Sequence, residues 1–397
     1  NYADEKNFNY DTSWTQNPYK RLIVKGASIT DATKNGTTDT WNFNMAFYNL
    51  DADQNKLAGK TFAGSFYVDK DSIQCDYQNN DGGSSVSGKS FDTVFAKNNS
   101  DIFDENGLRY EGTDPYNYIC LDNKTGGACS DSSLLFRIIG LFDEEYSADG
   151  TSSSGTKKLL KILDTNNYGG TSGKVWNSAG TNNWSTASLK TELNGTYLST
   201  LLATSGVNSK LNDVIVKAKW HLGGANIFSE SNYNIETIIT KNWYKAERSP
   251  YATSGTLQNL YSGNPEYVFA KVGLMYPSDY GYATVGGNTT NKTECRVQAL
   301  FNWNNSSYSD CKNNDWVFKS ITLVSNGVKN GEWFISPYAS DSYFASYLFS
   351  TGFVYGYNYV NDYQFAVRPT FYLDPSILKI VGGTGTSTDP YLSLIHI

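Results

Sequence analysis

Hydrophobic residues recur along this chain with two periods, one of two residues and one of three to four. Trp41, Phe43, Met45 and Phe47 alternate with polar neighbours, and Phe62, Phe66 and Val68 share one face of a second segment. A period of two belongs to half-buried β-strands. With a strand over 22–29, a turn at Asp51–Lys56 and loop chemistry at 79–85, it predicts a small β-rich unit, a sandwich or meander. That unit spans 1–104 and is entered through a polar leader at 1–18 rich in Asn and Tyr.

The pattern then changes. Ser133–Phe142 is a nearly unbroken apolar run, which predicts a buried strand, and Lys158–Leu163 is its expected partner across the loop 148–155. Leu189 and Leu193 recur at helical spacing, with Ser185 as the N-cap, so a helix is predicted over 185–202. Val214, Val216, Ala218, Trp220 and Leu222 alternate as a strand. Ile235, Ile238, Ile239 and Trp243 share one face of a second helix over 234–248. Beyond Pro277 the pattern breaks into loops and short strands. Helices set among short strands and long polar loops imply an α+β domain over 105–391. The last residues, 392–397, resemble the translation of a sequencing-adapter end and are set aside as a scar.

Composition sharpens this picture. Aromatics reach 15% of the 397 residues, with 30 Tyr, 20 Phe and 9 Trp, too many for a disordered chain. Tyr joins a large apolar body to a polar tip, which suits half-exposed contact surfaces, although it also fills sheet faces. The net charge is −7 and no run of Lys or Arg forms a basic stripe, so nucleic acid and anionic membranes are disfavoured as partners. No apolar stretch approaches the ~20 residues of a bilayer span. The chain opens at Asn1 rather than Met, which leaves room for a removed export segment or anchor.

Cysteines stand at 75, 120, 129, 295 and 311. Cys120 and Cys129 bracket a turn-forming run, and Cys295 and Cys311 a longer polar loop. Closed as disulfides, such loops would add roughly 3 kcal/mol each in an oxidising compartment; free thiols are the alternative. Cys75 has no evident partner and reads as a small buried side chain.

No catalytic set stands out. His221 lies in an alternating strand and reads as a satisfied histidine. Asp143, Glu144 and Glu145 read as a solvated turn. Asp51, Asp53 and Asn55 open like a calcium loop, but Lys56 replaces the needed Gly, so a hairpin turn is the better reading. A structural calcium ion in some other Asp/Asn loop stays open, and no other cofactor is expected. The informative stretch is 333–373, whose interior is dense in Tyr, Asn, Ser, Asp and Gly between rigid apolar edges. Binding surfaces use that mixture, Tyr for contact area and the small polar residues for adaptable hydrogen bonds.

Here the chain resembles a known family. Tyr118–Cys120, Leu135–Phe142, Lys158–Lys161, Trp184–Leu198, Val272–Ala283, Val367–Leu373 and Gly382–Pro390 look, in this order, like landmarks of a C-type-lectin-like domain. Such domains occur in surface and pilin-like proteins of gut bacteria. The fold is shared with formylglycine-generating enzymes and with variable proteins of diversity-generating retroelements. The resemblance implies a ligand-binding surface of exchangeable side chains on a fixed backbone. Carried over, it assigns ligand-facing roles to Tyr338, Ser340, Tyr343, Ser346, Tyr347, Tyr355, Tyr357, Asn358, Tyr359, Asn361, Asp362 and Tyr363, with Trp333 and Arg368 as scaffold. The redox cysteines of the enzyme branch have no match near the C-terminus, so that activity is not carried over. The expectation is a non-enzymatic, extracellular adhesin or receptor-binding protein for a protein or glycan on another surface. Attachment to a pilus or cell wall would run through a missing N-terminal segment. The alternatives are a structural subunit of a surface filament and, behind it, a carbohydrate-active enzyme.

Overall fold

The computed structural model describes residues 91, 100–123, 127–228, 231–251, 254–320 and 331–395. By its contacts the chain divides into two units, 1–76 and 77–397. The strands expected over 22–68, the Asp51 turn and Cys75 all lie outside the described residues. The described chain mixes helices and sheets, an α+β architecture.

Fifteen strands are used below: β1 Ile102–Asp104, β2 Leu108–Tyr110, β3 Tyr118–Cys120, β4 Leu135–Tyr146, β5 Gly155–Asp164, β6 Ile215–Val216, β7 Ala218–His221, β8 Tyr267–Ala270, β9 Val272–Gly273, β10 Gly331–Pro337, β11 Phe344–Phe349, β12 Val354–Tyr359, β13 Thr370–Leu373, β14 Leu378–Gly382 and β15 Tyr391–Ile395. Among the described residues, 12 of them form one sheet with the central order β14-β15-β3-β4-β5-β13-β6. The other three form a separate antiparallel sheet, β10-β11-β12.

The β4–β5 hairpin is the spine of the large sheet and pairs as its apolar pattern predicts, Leu141 opposite Leu160 and Ile138 opposite Ile162. Both faces of β4 are covered along most of its length, which is why its sequence runs apolar without alternation. At Gly140 a Cβ would stand 2.3 Å from the Leu108 carbonyl oxygen, so only glycine lets β2 close on β4 there.

The structure corrects several expectations. Asp143–Glu145 is not a solvated turn but the end of β4. Each of its residues faces β5, with Asp143 opposite Lys158 and Glu144 opposite Lys157. Alternation sends Glu144 inward to Arg248 and leaves Asp143 exposed. The expected boundary at 104 cuts the β1–β2 hairpin, in which Asp104 pairs with Leu108, so that hairpin belongs to the second unit. Residues 392–395 do not hang outside the fold. Leu392 is buried and pairs with Cys120, and the segment continues β15 between β14 and β3.

The helix expected over 185–202 is broken into a short 3-10 turn at Trp184–Thr186, an α-turn at Ser188–Glu192, a π-turn at Leu193–Tyr197 and a helix at Leu198–Ala203. Asn183, not Ser185, caps it, accepting from the Ser185 backbone N–H at 3.0 Å. The wide turn fits Asn194, whose Oδ1 accepts from the Lys271 and Val272 backbone N–H groups, docking the helix on β9. The second helix begins at Thr240 rather than 234. Asn234 instead accepts from the Glu236 N–H at 2.9 Å, a local turn that competes with helix. Past Pro277 there are also short helices, Pro277–Tyr282, Lys292–Val297, Ser309–Asn313 and Trp316–Lys319. Both local cysteine pairs are disulfides, with Cα atoms 5.6 Å apart for Cys120–Cys129 and 5.5 Å for Cys295–Cys311.

Candidate functional site

The 333–373 stretch builds the small sheet and the segment that buttresses it. Every residue of β10 is buried, and β11 is buried up to Phe349. Strand β12 alternates: Val354, Gly356 and Asn358 point in, while Tyr355, Tyr357 and Tyr359 point outward on one face. Three contacts fix this sheet from outside. Trp333 donates its indole N–H to the Lys174 carbonyl at 2.9 Å. Arg368 holds Glu332 in a buried ion pair. Asn177 N–H donates to Val360 O at 2.9 Å, pinning the end of β12.

The 338–344 loop is held differently. Asn182 is fully buried, and its amide nitrogen lies 2.9 Å from Tyr338 O, 2.7 Å from Asp341 O and 2.9 Å from Phe344 O. Its backbone N–H donates to Ser342 O at 2.6 Å. Asn264 donates to the Asn182 Oδ1 at 2.8 Å and so fixes the amide's orientation.

The twelve side chains assigned to ligand contact divide by burial. Tyr343, Tyr357 and Tyr359 are 53%, 52% and 48% exposed. Asn361 and Asp362 are exposed, and Ser340, Tyr355 and Tyr363 are half-buried. Tyr338, Ser346, Tyr347 and Asn358 are buried, which corrects their assignment. Strand β11 lies between β10 and β12 with both faces covered, so Ser346 and Tyr347 have no free side. The Tyr347 ring stacks on Phe365 at 4.9 Å and meets Trp333 edge-on at 6.2 Å. Burial raises its hydroxyl pKa to about 12 against a hydrogen bond with Asn358, which turns that amide inward too. Trp333 and Arg368 are buried, as expected of scaffold.

The outward rings rest on a buried one. Phe344 stacks on Tyr357 at 4.1 Å and packs on Tyr359 at 4.7 Å, and Tyr355 leans on Phe301 at 5.4 Å. A bulge between Ala345 and Tyr347 in the β11–β12 register increases the local twist of this edge strand. Two exposed residues beside the loop escaped sequence reading. Ile227 and Phe228 are 55% and 58% exposed, and the Ile227 backbone N–H donates to Ser340 Oγ at 3.0 Å. Gly224 makes this approach possible, since a Cβ there would stand 1.8 Å from Pro337 O. An Ile-Phe pair inside a polar loop was the available signal.

Charged residues also gather in the interior. Asp279 accepts from Arg109 at 3.1 Å and Lys161 at 2.5 Å. Arg248 bridges Glu144 at 2.8 Å and Glu247 at 3.1 Å, and His221 lies 3.6 Å from Glu144. Burial alone would raise Glu144, but Arg248 and His221 outweigh it and hold that carboxyl down at about 2. Burial raises Glu247 to about 7 despite Arg248 and Ser278. Burial lowers His221. These groups are partnered with one another and read as structural charge pairs. Among the described residues the grouping with metal-like spacing is Cys120, Asp122 and Cys129. Its two sulfurs are joined to each other and offer no thiolate.

Among the described residues no helix is long and apolar enough to cross a membrane. No family model, no curated protein and no solved structure matches the chain.

Proposed function

We propose that this chain is an extracellular, non-enzymatic binding protein, of the adhesin or receptor-binding type, whose ligand lies on the outer face of β12 and the 338–344 loop. The observation that carries this reading is the alternation in β12. It sends Tyr355, Tyr357 and Tyr359 to one side while the backbone beneath them is held by buried residues. Aromatic rings fixed at the surface offer contact area with little further entropy to lose on binding. The C-type-lectin-like resemblance agrees with this placement, since it assigns the same stretch to ligand contact with exchangeable side chains. The two disulfides are in keeping with an oxidising location.

The test is a protein and glycan array probed with the native chain and with a Tyr343→Ala, Tyr357→Ala, Tyr359→Ala variant. Capture is expected to fall at least about tenfold in the variant while its melting temperature changes little. Unchanged capture by the variant would remove the basis of this reading. Loss of concentration-dependent self-association instead would favour a filament subunit.

A further inference from the structure

Rings elsewhere in this protein carry cations. Arg109 lies 4.5 Å over Phe142 and 4.7 Å over Tyr282, Arg137 lies 4.2 Å over Tyr118, and Lys161 lies 4.2 Å over Tyr276. Among the described residues no Lys or Arg stands over Phe344, Tyr355, Tyr357 or Tyr359. Lys312 sits at the turn end of the β11–β12 hairpin, away from Tyr357 and Tyr359, where it donates to Thr351 O. The charged residues that the backbone brings beside these rings are acidic, Glu236 next to Ile235 and Asp341 in the loop that leads into Phe344. Glu236 is exposed and Asp341 half-buried, and neither makes an ion pair among the described residues. Ile235 brings its neighbour Glu236 to the sheet, since a Cβ at Gly356 would meet the Ile235 side chain at 3.2 Å. Burial raises the Tyr338 hydroxyl pKa, and Tyr355, Tyr357, Asp341 and Glu236 add to the rise. The Tyr338 hydroxyl is itself buried with no hydrogen-bond partner among the described residues.

Resting on the binding role proposed above, we propose that the surface of Tyr355, Tyr357, Tyr359, Glu236 and Asp341 receives a lysine or arginine side chain of a partner protein. Ring faces attract an organic cation through their quadrupole, and nearby carboxylates deepen the attraction. The exposed Ile227 and Phe228 beside Ser340 supply apolar area that suits a protein partner rather than an isolated headgroup. The net charge of −7 steers a basic partner toward the molecule.

The full chain is titrated with the peptide Gly-Lys-Gly-Lys-Gly, its lysine-acetylated form, Gly-Glu-Gly-Glu-Gly and choline chloride, following the tyrosine ring resonances. The lysine peptide is expected to shift the Tyr357 and Tyr359 signals. Acetylation should weaken it at least about tenfold. A Glu236→Gln, Asp341→Asn variant should weaken it similarly and flatten its salt dependence. The Asp341 carboxylate accepts from the Tyr343 N–H at 2.9 Å, and the amide oxygen that replaces it can accept the same bond, so the loop is expected to survive. Equal binding of the acetylated peptide, or no binding of the lysine peptide at millimolar concentration, overturns the inference. Binding of choline without the lysine peptide overturns the choice of a protein partner. An array ligand that is neutral or acidic, yet lost in the tyrosine variant, would leave the binding role standing and sink the cation inference alone. Array capture that survives the tyrosine variant sinks both.

Discussion

Arg368 meets Glu332 with two hydrogen bonds, Nε to Oε1 at 2.8 Å and Nη2 to Oε2 at 2.9 Å, both side chains buried. The remaining guanidinium nitrogen donates to Ser320 Oγ at 2.8 Å. The pair ties β10 to the segment that leads into β13, and so ties the small sheet to the large one. Removing one partner strands a buried charge. Arg368→Ala or Glu332→Ala is expected to lower unfolding stability by about 3–5 kcal/mol, measured by denaturant titration. A double change to Met and Leu should recover much of that loss, because the desolvation penalty disappears with the charges.

The tyrosines of the small sheet should separate into two classes. Tyr357→Ala and Tyr359→Ala remove rings that are about half exposed and are expected to lower stability by less than about 1 kcal/mol. Tyr347→Ala empties space between Trp333, Phe365 and Tyr355 and is expected to cost about 3–5 kcal/mol. Equal losses across the three would contradict the burial pattern.

The disulfides close loops of 9 and 16 residues. Replacing Cys295 and Cys311 together by Ser is expected to lower stability by about 3 kcal/mol, and replacing Cys120 and Cys129 by somewhat less. Thermal unfolding with and without reductant checks both, and each variant should lose its sensitivity to reduction at its own bridge.

Buried Glu247 has its pKa raised from 4.5 to about 7. Between those values the unfolded chain gives up this proton while the folded chain keeps it. Relative to Glu247→Gln, the native protein should therefore lose stability as pH rises from about 4.5 through 7. Glu144 is depressed to about 2 and works the other way. Its stabilisation is present above 4.5 and is lost as pH falls toward 2. His221, lowered by burial, also favours the folded state less as pH falls below its ordinary value of 6.5. Because these groups oppose one another, the decisive measurement is the difference between native chain and single variant across about pH 3–8. A Glu247→Gln difference that stays flat from 4.5 to 7 would reject the assignment.

What the sequence made legible follows the range of the interactions. The β4–β5 hairpin and both disulfides are local, and their signals lie within one loop of each other. The outward set Tyr355, Tyr357 and Tyr359 is also local, a period of two in an edge strand with one free face. Tyr338, Ser346, Tyr347 and Asn358 misled because their surroundings come from elsewhere. Tyr347 is closed in by Trp333 and Phe365, and no pattern within 344–349 states that β11 is central. The acidic run at 143–145 misled for the same reason, since Arg248 and Lys219, which ion-pair with Glu144 and Glu145, lie far along the chain. Asn183 and Asn234 acted through side-chain hydrogen bonds that periodicity does not register. Ile227 and Phe228 join the surface only through a backbone contact to Ser340.

The Asn182 amide bonds to the 338–344 loop at carbonyl oxygens, and a carbonyl is the one acceptor that every amino acid brings. The path of the loop is therefore written in a residue far upstream and not in the loop's own lettering. Randomising Ser340 and Tyr343 should leave that path intact, whereas exchanging the single amide at 182 for Leu should unfasten it whatever letters the loop carries.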